Sequence, residues 1–504
     1  MTDALAYGLI AAYYAVLLPL ALFGVHRLGL LLLLRRAERA RAGACADRPA
    51  TGEWPAVTVQ LPLYNEPRVA PRLLEAVSRL AYPRDRLEIQ VLDDSTDDTT
   101  ASLEEQVARL RGEGIDVRLL HRAHREGYKA GALAAGLRLA RGELLAVFDA
   151  DFVPPPDFLR RTVPRFADPA IGMVQARWGH LNRRWSLLTR VQALLLDGHF
   201  LVEHAARAGS GRLFNFNGTA GVWRRQAILD AGGWQHDTLT EDLDLSYRAQ
   251  LAGWRFAFLP EVLAPAELPV ELHAFRGQQR RWTRGSAQCL RKLLAPVLRS
   301  RLRPTVTAEA LVHLSSNLTY PLMVALTVLL FPAMWLRQRL GGWTLVAIDL
   351  PILLAATGSV VAFYLAAGRR AGLGRWPTLA LQPPLMALGI GMAWHNTRAA
   401  LGGLLRSGGV FERTPKHCVA DGDDPAGRRP PAHAAAARPP IGETALALYL
   451  LVATTLAIAE GVWLSLPFVL LFLAGYLWIV SLGWLPLARR AEPLASRPLD
   501  VPSA

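Results

Sequence analysis

Cysteine and lysine are the residues this chain uses least where it matters. Its three cysteines, Cys45, Cys289 and Cys418, lie far apart among 504 residues with no CxxC spacing. That excludes a disulfide framework and a cysteine-based zinc site, and it fits a catalytic part facing a reducing compartment. All but three of the 56 basic residues are arginine, the lysines being Lys129, Lys292 and Lys416. Against the Ala/Arg/Pro-rich bias of a high-GC genome, a retained lysine hints that a compact ammonium is needed. No helix-turn-helix, zinc-finger or RNA-recognition pattern is present. The net charge of +14 is therefore not read as nucleic-acid binding, and an anionic membrane surface or anionic substrate stays open. The lack of an internal repeat argues against an ordinary secondary transporter.

What the chain has in plenty is apolar residues, 52% of the total. The run from Ala4 to Leu34 is long enough to span a bilayer of roughly 30 Å, and it lacks the basic start of a cleaved signal peptide. Arg35, Arg36, Arg39 and Arg41 follow it and put that end in the cytoplasm. Further spans are expected at Leu311–Leu336, Trp343–Ala367, Thr444–Glu460 and Ser465–Leu487, about five crossings in all. The apolar stretch Trp376–Leu405 holds Pro377, Pro383, Pro384, His395 and Arg398 and is read as interfacial or re-entrant. The expected organisation is a membrane helix over 1–36, a linker over 37–56 and an α/β unit over 57–300. Two membrane helices over 301–370, the interfacial segment over 371–419 and a disordered Pro/Ala/Gly/Arg linker over 420–442 follow. Two last helices over 443–490 and a tail over 491–504 complete it. The expected location is an integral protein of a bacterial inner membrane, embedded in the lipid bilayer with its α/β unit in the cytoplasm.

Within 57–300 short apolar runs alternate with helical periodicity. Val57–Leu61, Glu88–Leu92, Asp116–Leu120, Leu144–Phe148 and Ile171–Gln175 read as buried strands, with helices at Pro71–Leu80, Thr99–Arg111 and Ala130–Ala140 between them. This alternation predicts an α/β class with a mostly parallel sheet covered on both faces, which binds ligands beyond the carboxyl ends of its strands.

The acidic residues fall at those ends. Asp149 and Asp151 close one strand and could share a hard cation, Mg²⁺ or Mn²⁺, with phosphate oxygens; alone, the pair fits a solvated turn as well. Asp93 and Asp94 close another and could accept from a ribose or base, although Asp97 or Asp98 there could simply cap the next helix. Thr240-Glu241-Asp242 offers a carboxylate for proton abstraction, or an ordinary Thr N-cap with an acidic first turn. Gln278, Arg281 and Trp282 share one helix face and suit a sugar ring and a diphosphate, or an interfacial helix. Gly127-Tyr128-Lys129-Ala130-Gly131 opens a helix where N–H groups and a lysine could meet phosphate. Phe214-Asn215-Phe216-Asn217-Gly218-Thr219 is a turn suited to sugar hydroxyls, or a plain hairpin.

In this order, with QVLDDSTD, GYKAGAL, FDADFVPPPDFL, VQARW, FNGTAGVWR, TEDLDLSYRAQLAGW and QQRRW intact over roughly Val57 to Lys416, the motifs resemble the processive family-2 glycosyltransferases of the cellulose synthase superfamily. The plant cellulose-synthase-like makers of β-1,4-mannan, glucomannan or glucan backbones are similar. The resemblance implies a GT-A-like nucleotide-sugar-binding domain beside the membrane helices. It implies Asp94 with Asp93 on the nucleotide, Tyr64 and Glu66 bordering the base, and Asp149 and Asp151 holding diphosphate and metal with Lys129 assisting. Asp242 becomes the general base, with Glu241 beside it, and Gln278, Arg281 and Trp282 surround the acceptor end and leaving group. Phe411-Glu412-Arg413-Thr414-Pro415-Lys416 resembles the F-x-V-T-x-K gating loop, keeping Phe411, Thr414 and Lys416 but carrying Arg413 where Val is expected. The implied partners are a nucleotide sugar, UDP-glucose or GDP-mannose, and a growing β-linked polysaccharide, with export partners left open. A non-processive transferase acting on a lipid, and a catalytically silent membrane scaffold or transporter, are the competing readings.

Overall fold

The computed structural model describes residues 3–42, 53–341, 348–349, 351–352, 354–423 and 439–491. Its centre is a seven-stranded sheet in the order β3-β2-β1-β4-β6-β5-β7. The strands are β1 Val57–Leu63, β2 Leu87–Asp93, β3 Val117–His121, β4 Leu144–Val147, β5 Ile171–His180, β6 Gly221–Arg224 and β7 Arg255–Ala266. β1 to β4 run parallel, β6 is antiparallel to both its neighbours, and β5 and β7 are parallel to each other.

Side chains alternate across a strand, and β4 shows the consequence. Leu144 and Ala146 enter one apolar cluster with Leu61, Leu103 and Phe148, while Leu145 and Val147 enter another with Leu133, Trp223 and Leu245. A strand buried on both faces must read as a continuous apolar run, and LLAV does. Each such leucine contributes about 1.5–3 kcal/mol by leaving water. The expected helices appear as Ala70–Ser78, Thr99–Gly112 and Tyr128–Leu139.

Among the described residues, four helices are long and apolar enough to cross a membrane: Ala4–Arg39, Pro304–Arg339, Ile441–Ala459 and Trp463–Trp484. A fifth crossing was expected over Trp343–Ala367. Its positions 343–347, 350 and 353 lie outside the described residues, and its described end is helical through Ser359–Arg370. The first helix runs on to Ala42, so part of the expected 37–56 linker is helical, and 43–52 lie outside the described residues. Residues 424–438 of the 420–442 linker and 492–504 of the tail lie outside them too. The expected interfacial segment forms two helices, Arg375–Gly391 and Ala393–Leu405. Leu385 and Leu388 of the first share a buried cluster with Ile479 of the last membrane helix.

The long helix Leu272–Arg299 joins the two halves. Gln288 Nε2 donates to the carbonyls of Arg406 (3.0 Å) and Gly408 (2.7 Å), and Arg276 pairs with Glu443 at 2.7 Å. The segment after Leu405 is thereby carried back over the carboxyl ends of the strands.

Candidate active site

A cleft of about 1240 Å³, its mouth included, opens at those strand ends. β1 delivers Tyr64 and Glu66, β2 Asp94, β4 Asp149 and Asp151, and the helix at Tyr128 delivers Lys129. Glu241 and Asp242 enter from the start of Glu241–Leu251, and Gln278, Arg281 and Trp282 from Leu272–Arg299. Phe411, Thr414 and Lys416 line the remaining side. Residues from seven separate stretches of sequence therefore share one space.

At one end the Arg125 guanidinium lies 3.4 Å from the Tyr64 ring centroid and 5.0 Å from that of Tyr128. Phe411 stacks on Tyr128 at 6.1 Å, and Arg281 lies 4.4 Å from Phe411. Alternating aromatic planes and guanidinium groups form a platform of flat faces, the surface a nucleobase would use. Asp94 receives a fork from Arg122, Nε at 2.7 Å and Nη2 at 2.6 Å. Asp93 departs from expectation, because it does not reach the cleft. As the last residue of β2 it points to the opposite side from Asp94 and is fully buried. It accepts from Ser95 N (2.9 Å) and Thr100 Oγ1 (2.7 Å) and meets His121 Nδ1 (2.9 Å). Burial alone would raise its pKa, but these bonds hold it below the ordinary carboxylate range. Its work is to fix the turn that presents Asp94.

In the middle, Lys129 Nζ donates to Asp149 Oδ1 and to the Gly218 carbonyl, the latter at 2.8 Å. Burial opposes its charge, and Asp149, Glu241 and Asp242 more than restore it, so the ammonium is held above its usual range. Lys416 Nζ donates to Asp151 Oδ2 and to the Glu267 carbonyl, both at 2.6 Å. Glu267 in turn accepts from His417 N at 2.7 Å and Val419 N at 3.2 Å. The 411–416 segment thus lies over the acidic strand end, tied down by its own lysine. Arg413 meets Glu66 at 3.4 Å. Burial first, and the charges of Asp151 and Asp149 after it, push the Glu66 carboxyl up to about 7 despite Arg413. No group of three or more His, Cys, Asp or Glu able to hold a metal occurs among the described residues. A pair of carboxylates suits instead a cation that takes one or two of them and completes its shell with phosphate oxygens.

At the far end, Thr240 holds the N-cap position of its helix, with Glu241, Asp242 and Asp244 in the first turn. Its side chain makes no capping hydrogen bond, the hydroxyl facing Cys289 Sγ at 3.4 Å instead. Asp242 Oδ1 accepts from Leu243 N at 2.8 Å. Burial, and then the neighbouring Glu241 charge, raise Asp242 to about 7; burial raises Glu241 too. Gly218 has φ +81°, and a Cβ there would come within 3.1 Å of Asp242 Oδ2 and 3.4 Å of Lys129 Nζ. Only glycine gives both that backbone and that approach. Trp282 faces Trp178 across the cleft, ring centroids 6.5 Å apart at 51°.

Reading the sequence left out Arg122, Arg125, Trp178 and Glu267. Trp178 stands inside VQARW and the two arginines just before GYKAG, so position within motifs was the available signal; for Glu267 there was none.

Sheet and cleft together are of the GT-A-like nucleotide-sugar-binding class. Residues 55–285 match the glycosyltransferase-like family 2. Among curated proteins, glucomannan 4-beta-mannosyltransferase 1 of Oryza sativa subsp. japonica is 38% identical over 403 residues, 76% of this chain and 74% of that protein. Glucomannan 4-beta-mannosyltransferase 2 of Arabidopsis thaliana is 45% identical over 256 residues, 50% of this chain and 48% of that protein. The chain thus spans about half the length of the second of these and three quarters of the first. A solved mannosyltransferase, PcManGT from Pyrobaculum calidifontis with GDP-Man and Mn²⁺, has a TM-score of 0.49 and 22% identity, covering 73% of this chain and 98% of that one. The chain belongs to the family-2 glycosyltransferases of the cellulose synthase superfamily.

Proposed function

We propose that this chain is an inverting hexosyltransferase that moves a sugar from UDP-glucose or GDP-mannose to the end of a growing β-linked glucan, mannan or glucomannan. The work is done at the cytoplasmic face of the membrane. One observation carries the reading: Asp242 shares a cleft with Lys129, Asp149 and Trp282, so a base, a phosphate-facing cation and a sugar platform surround one space. The names of the plant relatives support a β-1,4-mannosyl product.

The nucleotide base lies against Tyr64 and Arg125, with Asp94 near the ribose, and the acceptor sugar lies on Trp282. Asp242 takes the proton of the acceptor hydroxyl as its oxygen bonds to the anomeric carbon. The bond from that carbon to the diphosphate breaks, and an α-linked donor gives a β-linked product with no covalent intermediate. Lys129, Arg281 and Lys416 neutralise the departing diphosphate. Asp149 and Asp151 would hold Mg²⁺ or Mn²⁺, which supplies further charge neutralisation on the leaving group. The cleft holds both sugars in line, which reduces the entropic barrier.

The test is to give purified protein GDP-mannose and UDP-glucose, each labelled, with Mg²⁺ or Mn²⁺ and a β-1,4-linked oligosaccharide, followed by linkage analysis. Extension by β-linked hexose from either donor is expected. Failure to extend with both donors refutes the reading.

A further inference from the structure

Two of the three lysines, Lys129 and Lys416, hold carboxylates of the cleft, and the chemistry above leaves the third, Lys292, without a part. Lys292 is the one lysine among the arginines of the helix Leu272–Arg299. Arg281, Gly285, Gln288 and Lys292 fall at i, i+4, i+7 and i+11 of that helix and so form one stripe. The loop that leads to Asp242 runs along this stripe in the opposite direction. Lys292 meets residues 235 and 237, and Gln288 Oε1 accepts from Leu239 N at 2.9 Å. Gly285 backs onto Thr240, and Arg281 enters the cleft beside Glu241 and Asp242.

Lys292 Nζ donates to Gln235 Oε1 and to Asp237 Oδ1, each at 2.7 Å, and pairs with Asp244 Oδ1 at 3.0 Å. Asp244 stands in the first turn of Glu241–Leu251, two residues past Asp242, and is fully buried. Its other oxygen, Oδ2, accepts from Arg248 Nε at 2.9 Å and Nη2 at 2.7 Å. Arg248 belongs to the same short helix, so it is Lys292 that carries the link from Asp244 across to the helix of Arg281 and Trp282. Leu243 and Tyr247 share a buried cluster with Cys289 and Leu293, which presses the two helices together. Apolar burial has no direction, whereas the ammonium fixes one helix against the other at a point. Its donors are compact enough to meet three convergent oxygens, while a guanidinium spreads its N–H groups in a plane.

We propose that Lys292 is a positioning residue for the base: by pinning the 235–237 loop and Asp244 to the helix of Trp282, it sets Asp242 against the acceptor platform. This rests on the reading of Asp242 as base and Trp282 as platform. Gln288 holds the carbonyls of Arg406 and Gly408 by itself, so the 411–416 segment and the donor end keep their anchorage without Lys292.

The test uses full-length protein in lipid discs, with GDP-mannose and UDP-glucose as donors, mannotetraose and cellotetraose as acceptors, and GDP and UDP as binding probes. Lys292→Met should lower kcat on the order of 100-fold, the effect of a misplacement of about 1 Å, with donor KM and nucleotide binding unchanged. Its Tm should fall too, because Asp244 loses a cation. Lys292→Arg keeps the charge but not the three-way grip, so it should restore Tm and little of kcat. Lys292→Met combined with Asp244→Asn removes both charges, which should likewise restore Tm and leave kcat low. An unchanged kcat in Lys292→Met, or a kcat that returns with Tm in both of the other variants, would overturn the proposal by reducing Lys292 to a support of the fold. So would a rise in donor KM that matches the loss of kcat. Hydrogen exchange separates this proposal from the parent one. If wild type transfers from neither donor, the proposed function fails, whereas amides of 237–243 that stay as protected in Lys292→Met as in wild type sink the role of Lys292.

Discussion

Gly285 offers a sharp test of how the cleft is assembled. It lies on the helix that carries Arg281 and Trp282, three residues beyond the tryptophan, and it backs onto the loop that delivers Asp242. A Cβ built on Gly285 would lie 2.6 Å from Thr240 Cγ2, 2.7 Å from its backbone N and 2.7 Å from Oγ1. Contacts between carbons settle near 3.5–4.0 Å, so Gly285→Ala must part helix and loop by roughly 0.9 Å. Backbone on both sides makes that displacement hard to absorb by rotamer change. Overpacking of this kind costs about 1–3 kcal/mol in stability, which leaves a folded protein. Catalysis should suffer more, because a misplacement of about 1 Å between reacting groups costs on the order of 100-fold. The assay is steady-state transfer to a tetrasaccharide, alongside nucleoside-diphosphate binding, which uses Tyr64, Asp94 and Lys129 and should be unchanged. Turnover within threefold of wild type, in a protein that binds nucleotide normally, would refute the claim that this contact sets Asp242 against Trp282.

Four further outcomes follow from the site. With Asp242 raised to about 7, the base is ionised above that pH and protonated below it, so kcat/KM should fall tenfold per unit on the acid side of neutrality; a profile flat down to pH 5 would remove Asp242 as base. Asp242→Asn should abolish transfer, by at least 100-fold, while nucleotide binding measured by calorimetry persists. Arg413→Val breaks the contact with Glu66 and should weaken nucleoside-diphosphate binding by up to roughly fivefold, the upper range of a partly exposed ion pair, with faster proteolysis at 411–416. Chelation with EDTA should stop transfer, and Mg²⁺ or Mn²⁺ should restore it; undiminished transfer in chelator would remove the role given to Asp149 and Asp151.

The parallel half of the sheet was legible in the sequence because its strands are short and rich in apolar residues: LLAVF is an unbroken apolar run, while VTVQL and EIQVL alternate apolar residues with Thr58, Gln60, Glu88 and Gln90, which are buried and paired across the two strands. β6 was not, being four residues that begin with glycine, and β7 carries Pro260 and Pro265, which break the strand pattern. Pro260 sits within a shift in register against β5 and Pro265 on the same edge strand, positions where a missing N–H is tolerated. In the cleft, the motif letters identified the acidic strand ends but not which of two adjacent aspartates faces inward. That depends on the pleat, which sends Asp93 to His121 and Asp94 to Arg122. The Arg413–Glu66 contact joins residues far apart in the chain, with no local pattern to announce it. Arg125 carries no motif that marks it, and only the fold brings its guanidinium to 3.4 Å from the Tyr64 ring centroid.

The anchorage of Leu272–Arg299 bears on how the protein could be cut down. Its outer side is covered by Ala393–Leu405, its Arg276 is held by Glu443, and the 411–416 strap, whose Glu412 carbonyl accepts from Arg281, comes only after Ala393–Leu405 in the chain. A fragment ending near residue 300 would retain the nucleotide platform and the two acidic strand ends. It would lack the wall behind Trp282 and everything that closes over Asp151. On the proposed function such a fragment should bind nucleotide yet transfer nothing, for residues beyond 300 form one side of the cleft.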